Sequence, residues 1–199
     1  KQVRKKWQIY DNPIQNVISL LEMKGIRVLE IKSYQDFDGM AAWYFDVPVI
    51  VLNYDAPEVT RKRFTALHEL GHLILQLDES LDYDKIENLC DVFASTMLMP
   101  KELIIWEVGS KSRLTNEELK RLKSKYGISF QAILVSSVFA GLLKWSDYKK
   151  KLDDSTESKG SFSVEERADR ANQLLNIAIS EEMLDPKRAA LFSEDYVMD

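Results

Sequence analysis

His68 and His72 stand four residues apart with Glu69 directly after the first, so His68-Glu69-Leu70-Gly71-His72 reads H-E-x-x-H. On a helix, positions four apart lie one above the other on the same face. Two imidazoles placed in this way can each turn a nitrogen toward one metal ion. Zinc suits the pair, because it takes imidazole nitrogen and carboxylate oxygen in tetrahedral geometry. Glu69 then lies beside the ion without being drawn onto it, and its carboxylate can take a proton from a water that the ion polarises. That combination is the chemistry of a metalloprotease. Chance gives such a pattern in roughly one chain of this length in two hundred. The composition also points one way, since the chain has 2 histidines and both are in the motif. A surface helix with two incidental histidines is the bland alternative, and the apolar spacing of the flanks argues against it.

A catalytic zinc site normally has three protein ligands and one open position. With no histidine left, the third donor is a carboxylate or Cys90. The carboxylates that follow are Asp78, Glu79, Asp82, Asp84, Glu87 and Asp91. The first four fall in or near the connection after the motif helix. Glu87 and Asp91 lie one turn apart on the next helix, which can pack back on the motif. One arrangement puts Glu87 on the metal and Asp91 behind a ligating histidine as its orienting partner. In the other, Glu87 is only a charge or capping partner at a helix start. Cys90 suits a small buried core position better than a ligand. Local spacing leaves this choice open. It also leaves open the donor to the developing oxyanion, for which Tyr44, Tyr54, Tyr83 and Arg61 are all candidates.

The elements that must position these residues read as follows. The basic, aromatic residues 1–10 are a linker or a frayed helix. Asn12-Pro13 opens a helix with Ile14, Val17, Ile18 and Leu21 at helical spacing, closed by Gly25. Residues 26–31, 41–46 and 48–53 are β-rich strands, the last two forming a hairpin. Asp55 caps the motif helix, with Pro57 in its first turn and an end near Leu77. Gly71 lets a neighbouring backbone approach the metal face. Helices follow at residues 81–98, 101–108, 115–126 and 129–143, then a polar linker or loop within 149–161, a helix at 163–179 and a short one at 186–192. Residues 49–53 end close to the start of the motif helix. If they form a sheet edge, that edge can take up an extended substrate peptide. Their four consecutive apolar residues fit an internal strand as well, and Trp43 to Phe45 would then be the edge.

The chain has 199 residues, 45% of them hydrophobic, enough for one good core. A net charge of -5 and a pI near 5.2 carry no overall nucleic-acid or membrane signature. One cysteine fits a reducing, cytoplasmic location. No apolar run is long enough to cross a membrane. The start at Lys1 and not at Met raises the expectation of a piece trimmed from a longer protein.

His68-Glu69-Leu70-Gly71-His72, followed by Glu87-Asn88-Leu89-Cys90-Asp91-Val92-Phe93-Ala94 and Leu98-Met99-Pro100, resembles the ImmA/IrrE family of metallo-endopeptidases. The strand Val49-Ile50-Val51-Leu52-Asn53 and the Tyr126-Gly127-Ile128-Ser129 helix pair extend the likeness to residues 14–143. The resemblance implies an α+β fold: a small three-stranded antiparallel or mixed sheet beside a zincin-like H-E-x-x-H helix, followed by an all-helical C-terminal half. It also implies His68, His72 and Glu87 as zinc ligands, with manganese or iron as alternative ions, and Glu69 as the group that activates water. Asp91 is the expected partner behind a ligating histidine, at a position where relatives often carry asparagine. The expected organisation is a metallopeptidase domain over 1–110, a helix-turn-helix-like segment packed on it over 111–148, a linker over 149–162 and a helical segment over 163–199. The function implied is cleavage of a protein substrate, a helix-turn-helix repressor or an antitoxin, with an upstream helix-turn-helix domain absent from this chain. A zinc-stabilised regulator that binds a partner or DNA without cutting is the alternative. Direct DNA reading by residues 115–143 is disfavoured, because the second helix of that pair has no basic residue before Lys144.

Overall fold

The computed structural model describes residues 1–32, 37–78, 80–109, 114–155, 157, 162 and 164–189. The ligand candidate Glu79, loop residues 33–36, residues 156 and 158–161 of the polar stretch, and residues 190–192 of the last expected helix lie outside them. The strands are β1 (Arg27–Ile31), β2 (Gly39–Tyr44) and β3 (Val47–Asn53). They form a mixed sheet in the order β1-β3-β2. β3 runs parallel to β1, with Val28 opposite Ile50, and antiparallel to β2, with Ala41 opposite Ile50. Residues 49–53 are therefore not the edge, which corrects the first of the two readings. Their apolar run is internal because Ile50 and Leu52 are fully buried while ladders occupy both sides. The free edges belong to β1 and to the aromatic strand β2. The two-residue turn between β2 and β3 places Phe45 at φ 51°. Such turns require positive φ and usually take glycine or asparagine there, and the conformation costs another residue about 1–2 kcal/mol.

One face of the sheet carries Val28, Ile50 and Leu52 into the core. Helices α2 (Val17–Met23) and α3 (Val59–Ile74) pack against the sheet. α2 starts four residues later than the Asn12-Pro13 signal suggests. Asn16 caps it by accepting the Ser19 N–H (2.8 Å), and the carbonyls of Ile14 and Gln15 are instead taken by the Arg63 side chain. α3 likewise begins at Val59 and not at Asp55, whose N–H is bound by the Asn53 side chain (3.0 Å). The N-terminal residues are no linker. They form α1 (Gln2–Lys6), and buried Arg4 donates to the carbonyls of Tyr10, Met97 and Asn12.

α4 (Tyr83–Leu98) lies along α3. The closest approach is at Gly71, where a Cβ would sit 3.1 Å from Cys90 Sγ and 3.3 Å from Cys90 Cα. α5 (Lys101–Val108) follows Pro100. α6 (Asn116–Tyr126) opens on a capping box between Thr115 and Glu118 and closes at Gly127 with φ 62°. α7 (Phe130–Ala140) is buried nearly all round, against α4 and α5. α8 (Trp145–Asp153) reaches into the stretch read as polar linker, because Tyr148 and Leu152, one turn apart, pack on the core. α9 (Arg170–Ser180) and α10 (Pro186–Ala189) end the described chain. Among the described residues 164–169 the helix expected over 163–179 is not formed, and it begins at Arg170. In that stretch Glu166 is buried and the Ala168 N–H goes to Glu30 Oε2 (2.7 Å). The result is an α+β fold with a mixed sheet and a helical C-terminal half, the class the sequence predicts. No helix among the described residues is long and apolar enough to cross a membrane.

Candidate metal centre

α3 presents Arg61, Thr65, His68 and His72 on one face, spaced four, three and four residues apart. Opposite them, α4 presents Glu87 and Asp91, one turn apart. Three side chains converge. His68 Nε2 and His72 Nε2 are 3.0 Å apart, and the Glu87 carboxylate oxygens are 3.2 Å from the first and 3.3 Å from the second. These are the one group of potential metal donors among the described residues, with the three donor atoms within 4.8 Å of one another. Two imidazole nitrogens and a carboxylate form a donor set suited to a divalent ion with a position left open.

Asp91 Oδ1 is 2.7 Å from His68 Nδ1. A proton on Nδ1 donates to that carboxylate and leaves Nε2 bare, facing the group. Burial lowers the His68 pKa, but the Asp91 hydrogen bond and charge outweigh it and the net shift is upward. Burial lowers His72, with the neighbouring His68 adding to the effect. Glu69 is buried beside the group. Burial raises its carboxyl, the charge of His68 partly offsets this, and the charge of Glu87 adds to it.

Of the remaining candidates, Asp78, Asp82 and Asp84 are not brought to the group. Cys90 packs against Gly71, and burial pushes its thiol up to about 11, the behaviour of a core residue. Among the oxyanion candidates, Tyr54 is covered by the guanidinium of Arg167, 4.1 Å from its ring centre, and Tyr44 sits at the far end of β2. The Tyr83 hydroxyl is close enough to Glu87 for that residue's charge to raise its pKa. Arg61 grips Asp38 through two bonds, Nε to Oδ1 at 2.7 Å and Nη2 to Oδ2.

His68, Glu69, Glu87 and Asp91 line a cleft of about 730 Å³ that continues past Thr65, Arg61 and Asp38 to Glu58 and Glu157. Asp38, the residue before β2, lines it. Gly39 packs so closely on α3 that a Cβ there would meet Thr65 Cγ2 at 2.7 Å.

The groups that fix α3 in place were not legible in the sequence. Arg63 and Glu166 form an ion pair in the core, and Glu166 also accepts the N–H groups of Val17 (2.8 Å) and Ile18 (3.3 Å). Lys62 pairs with Glu30, which Arg167 also reaches. Buried Lys123 bridges Glu58 (2.9 Å) and Glu157 (2.7 Å). One signal was available: Arg63 falls on the apolar stripe continued by Leu67, Leu70 and Ile74, an inward position for a charge.

Residues 21–136, more than half of the chain, match the family Peptidase_M78, described as the IrrE N-terminal-like domain. The chain is 35% identical over 98 residues to the radiation response metalloprotease IrrE of Deinococcus radiodurans, an alignment covering 43% of this chain and 29% of that protein. It thus spans less than a third of the relative's length.

Proposed function

The chain belongs to the IrrE N-terminal-like metallopeptidase family, and on that premise we propose that it is a zinc-dependent endopeptidase acting on a specific protein. The observation that carries this reading is the convergence of His68, His72 and Glu87, with His68, Glu87 and Glu69 lining one cleft. His68 and His72 would hold the ion through Nε2 and Glu87 through its carboxylate. A divalent ion bound there supplies Lewis acidity to the scissile carbonyl and lowers the pKa of water.

The chain's own residues do the rest. Glu69 takes a proton from the attacking water as the C–O bond forms and delivers it to the departing amine nitrogen as the C–N bond breaks. Its raised pKa suits a group that must both accept and return a proton. Asp91 keeps the His68 proton on Nδ1 and the ring in orientation. We assign the developing oxyanion to the hydroxyl of Tyr83, an exposed side chain that the charge of Glu87 reaches. The substrate backbone adds to the free edge of β2 as an antiparallel strand, replacing the role first considered for residues 49–53.

The substrate class the family suggests is a helix-turn-helix repressor or an antitoxin, cut in the cytoplasm as a regulatory step. The helices over 111–148 serve as support for the peptidase unit. Burial of nearly all of α7 leaves it no face to insert into a DNA groove. The test is incubation of the purified protein with a repressor or antitoxin from the neighbouring gene. Cleavage at one site, lost with a chelator and restored by zinc, is expected. A biological effect that survives Glu69→Gln would favour the non-proteolytic regulator instead.

A further inference from the structure

The sheet is apolar on both faces, and only one of them is covered. Its strands send alternate side chains to opposite sides. Val28, Ile50 and Leu52 point to the side on which α2 and α3 pack. The residues between them point the other way, and the register sets them in rows. Leu29, Val51 and Met40 stand side by side across the three strands, Val49 stands beside Ala42, and Val47 beside Tyr44. Ile31 follows Leu29 on the same side of β1. Leu29, Ile31, Met40 and Tyr44 are 46%, 47%, 51% and 69% exposed, and Val49 and Val51 in the middle are half-buried. Single apolar side chains on a surface need no explanation, whereas a contiguous patch marks an interface.

Area and charge name the occupant. With strands about 4.8 Å apart and about 3.3 Å per residue, the face measures roughly 15 by 20 Å. The exposed parts of its side chains amount to roughly 600 Å² of apolar surface, the upper end of what a monomer leaves uncovered. Two such faces pressed together bury roughly 1,200 Å², which reaches the lower bound of a specific interface. A face that pairs with its own copy also sets like charge against like. The chain has 32 acidic residues and a net charge of -5, yet none of those carboxylates falls at an outward position of the three strands. Arg27, at the start of β1, is the one charged residue at such a position, and it stands on the rim.

We infer that the outer face of the sheet is a homodimer interface, in which two copies pack sheet against sheet about a two-fold axis. Sheets paired in this way lie about 10 Å apart with their strands crossing at about 30°. The inference does not depend on the peptidase reading. α3, which carries His68 and His72, packs on the other side of the sheet, so the pairing leaves the metal-binding group uncovered.

The test is sedimentation velocity with light scattering on the parent chain from about 1 to 200 μM. A monomer–dimer equilibrium with a micromolar Kd is expected, as the small area implies. Leu29→Lys on β1 and Met40→Lys on β2 each set a new charge against an apolar face and against its own copy, and each should weaken the dimer at least about tenfold. Both side chains are exposed in the single chain, so the Tm of each variant in dilute solution should stay within a few degrees of the parent. Two variants on different strands keep the test open if one of them fails to fold. Met23→Lys changes an exposed methionine at the end of α2, off the sheet, and should dimerise as the parent does. A parent chain that is monomeric at about 200 μM overturns the inference, and leaves the face to a different protein. A Kd within about twofold of the parent in both sheet variants overturns it too, as does equal weakening by Met23→Lys, which would make added charge alone the cause. Growth beyond the dimer also counts against it, since a face paired about a two-fold axis closes at two copies.

Discussion

Glu166→Ala should be among the most damaging single substitutions in the chain, although residue 166 lies nearly a hundred residues from the metal-binding motif. The Glu166 side chain is 0% exposed and its partner Arg63 1%. The carboxylate holds the Arg63 guanidinium and accepts two N–H groups from the first turn of α2. Removing it leaves a guanidinium without its counter-charge in the core, a defect that costs about 3–5 kcal/mol. It also orphans the Val17 and Ile18 donors, though these losses overlap and do not simply add. A net loss of about 4 kcal/mol corresponds to a fall in Tm of about 8–16 °C for a chain of this size. Urea and thermal denaturation of Glu166→Ala, Arg63→Met and the double variant Arg63→Met/Glu166→Leu form the assay. The double variant should recover most of the loss, because a well-packed apolar pair replaces an ion pair at little cost. A Glu166→Ala protein within about 1 kcal/mol of the parent, or a double variant no better than either single, would refute the reasoning.

Two further outcomes follow from particular contacts. Gly71→Ala gains about 1 kcal/mol of helix propensity, but its methyl meets Cys90 at 3.1–3.3 Å. Because Cys90 lies between Glu87 and Asp91 on α4, the variant should bind zinc about tenfold more weakly by calorimetric titration, with stability unchanged or lower; a more stable protein with undiminished zinc affinity would argue against a tight α3–α4 approach. Glu107 is the acid sensor of the helical half. Burial would raise its carboxyl, but hydrogen bonds from Lys125 (2.6 Å), Tyr126 and Arg121 (2.5 Å) prevail and bring it to about 2. A carboxylate lowered on folding contributes stability that is fully present above its unfolded pKa of about 4.5 and lost as pH falls toward 2. Glu107→Gln should therefore cost about 2–3 kcal/mol near pH 7, and the gap in urea midpoint should narrow below about pH 4.5. A gap constant from pH 6 to pH 3 would contradict this.

What could be read from the sequence was local. The H-E-x-x-H spacing places both imidazoles on one helix face whatever the tertiary structure. The Thr115–Glu118 capping box and the residue after Pro100 mark helix starts through nearest-neighbour chemistry, and α5 and α6 begin where they indicate. Glu87 could not be chosen on spacing alone, because its meeting with His68 and His72 depends on how α4 lies on α3. That approach is set by Gly71, whose small size was legible but whose partner Cys90 was not. Strand order failed for the same reason: an apolar run such as Val49 to Leu52 fits an edge or a centre, and only the pairing with β1 decides. Asn12-Pro13 and Asp55 looked like helix starts, yet the nearby backbone groups were taken by Arg63 and by Asn53. Arg63, Lys62, Lys123 and Glu166 are buried bridges whose partners could not be read from the sequence, since nothing in one segment announces a partner many residues away.

The central claim, that this constellation is a hydrolytic metal centre, is tested most directly by measuring bound zinc and peptide-bond cleavage side by side in three proteins. The parent chain should carry about one zinc and cut its substrate. Glu69→Gln should carry as much zinc and cut at least about 100-fold more slowly, and Glu87→Ala should lose both. Stoichiometric zinc in Glu87→Ala, or undiminished cleavage by Glu69→Gln, would contradict the account.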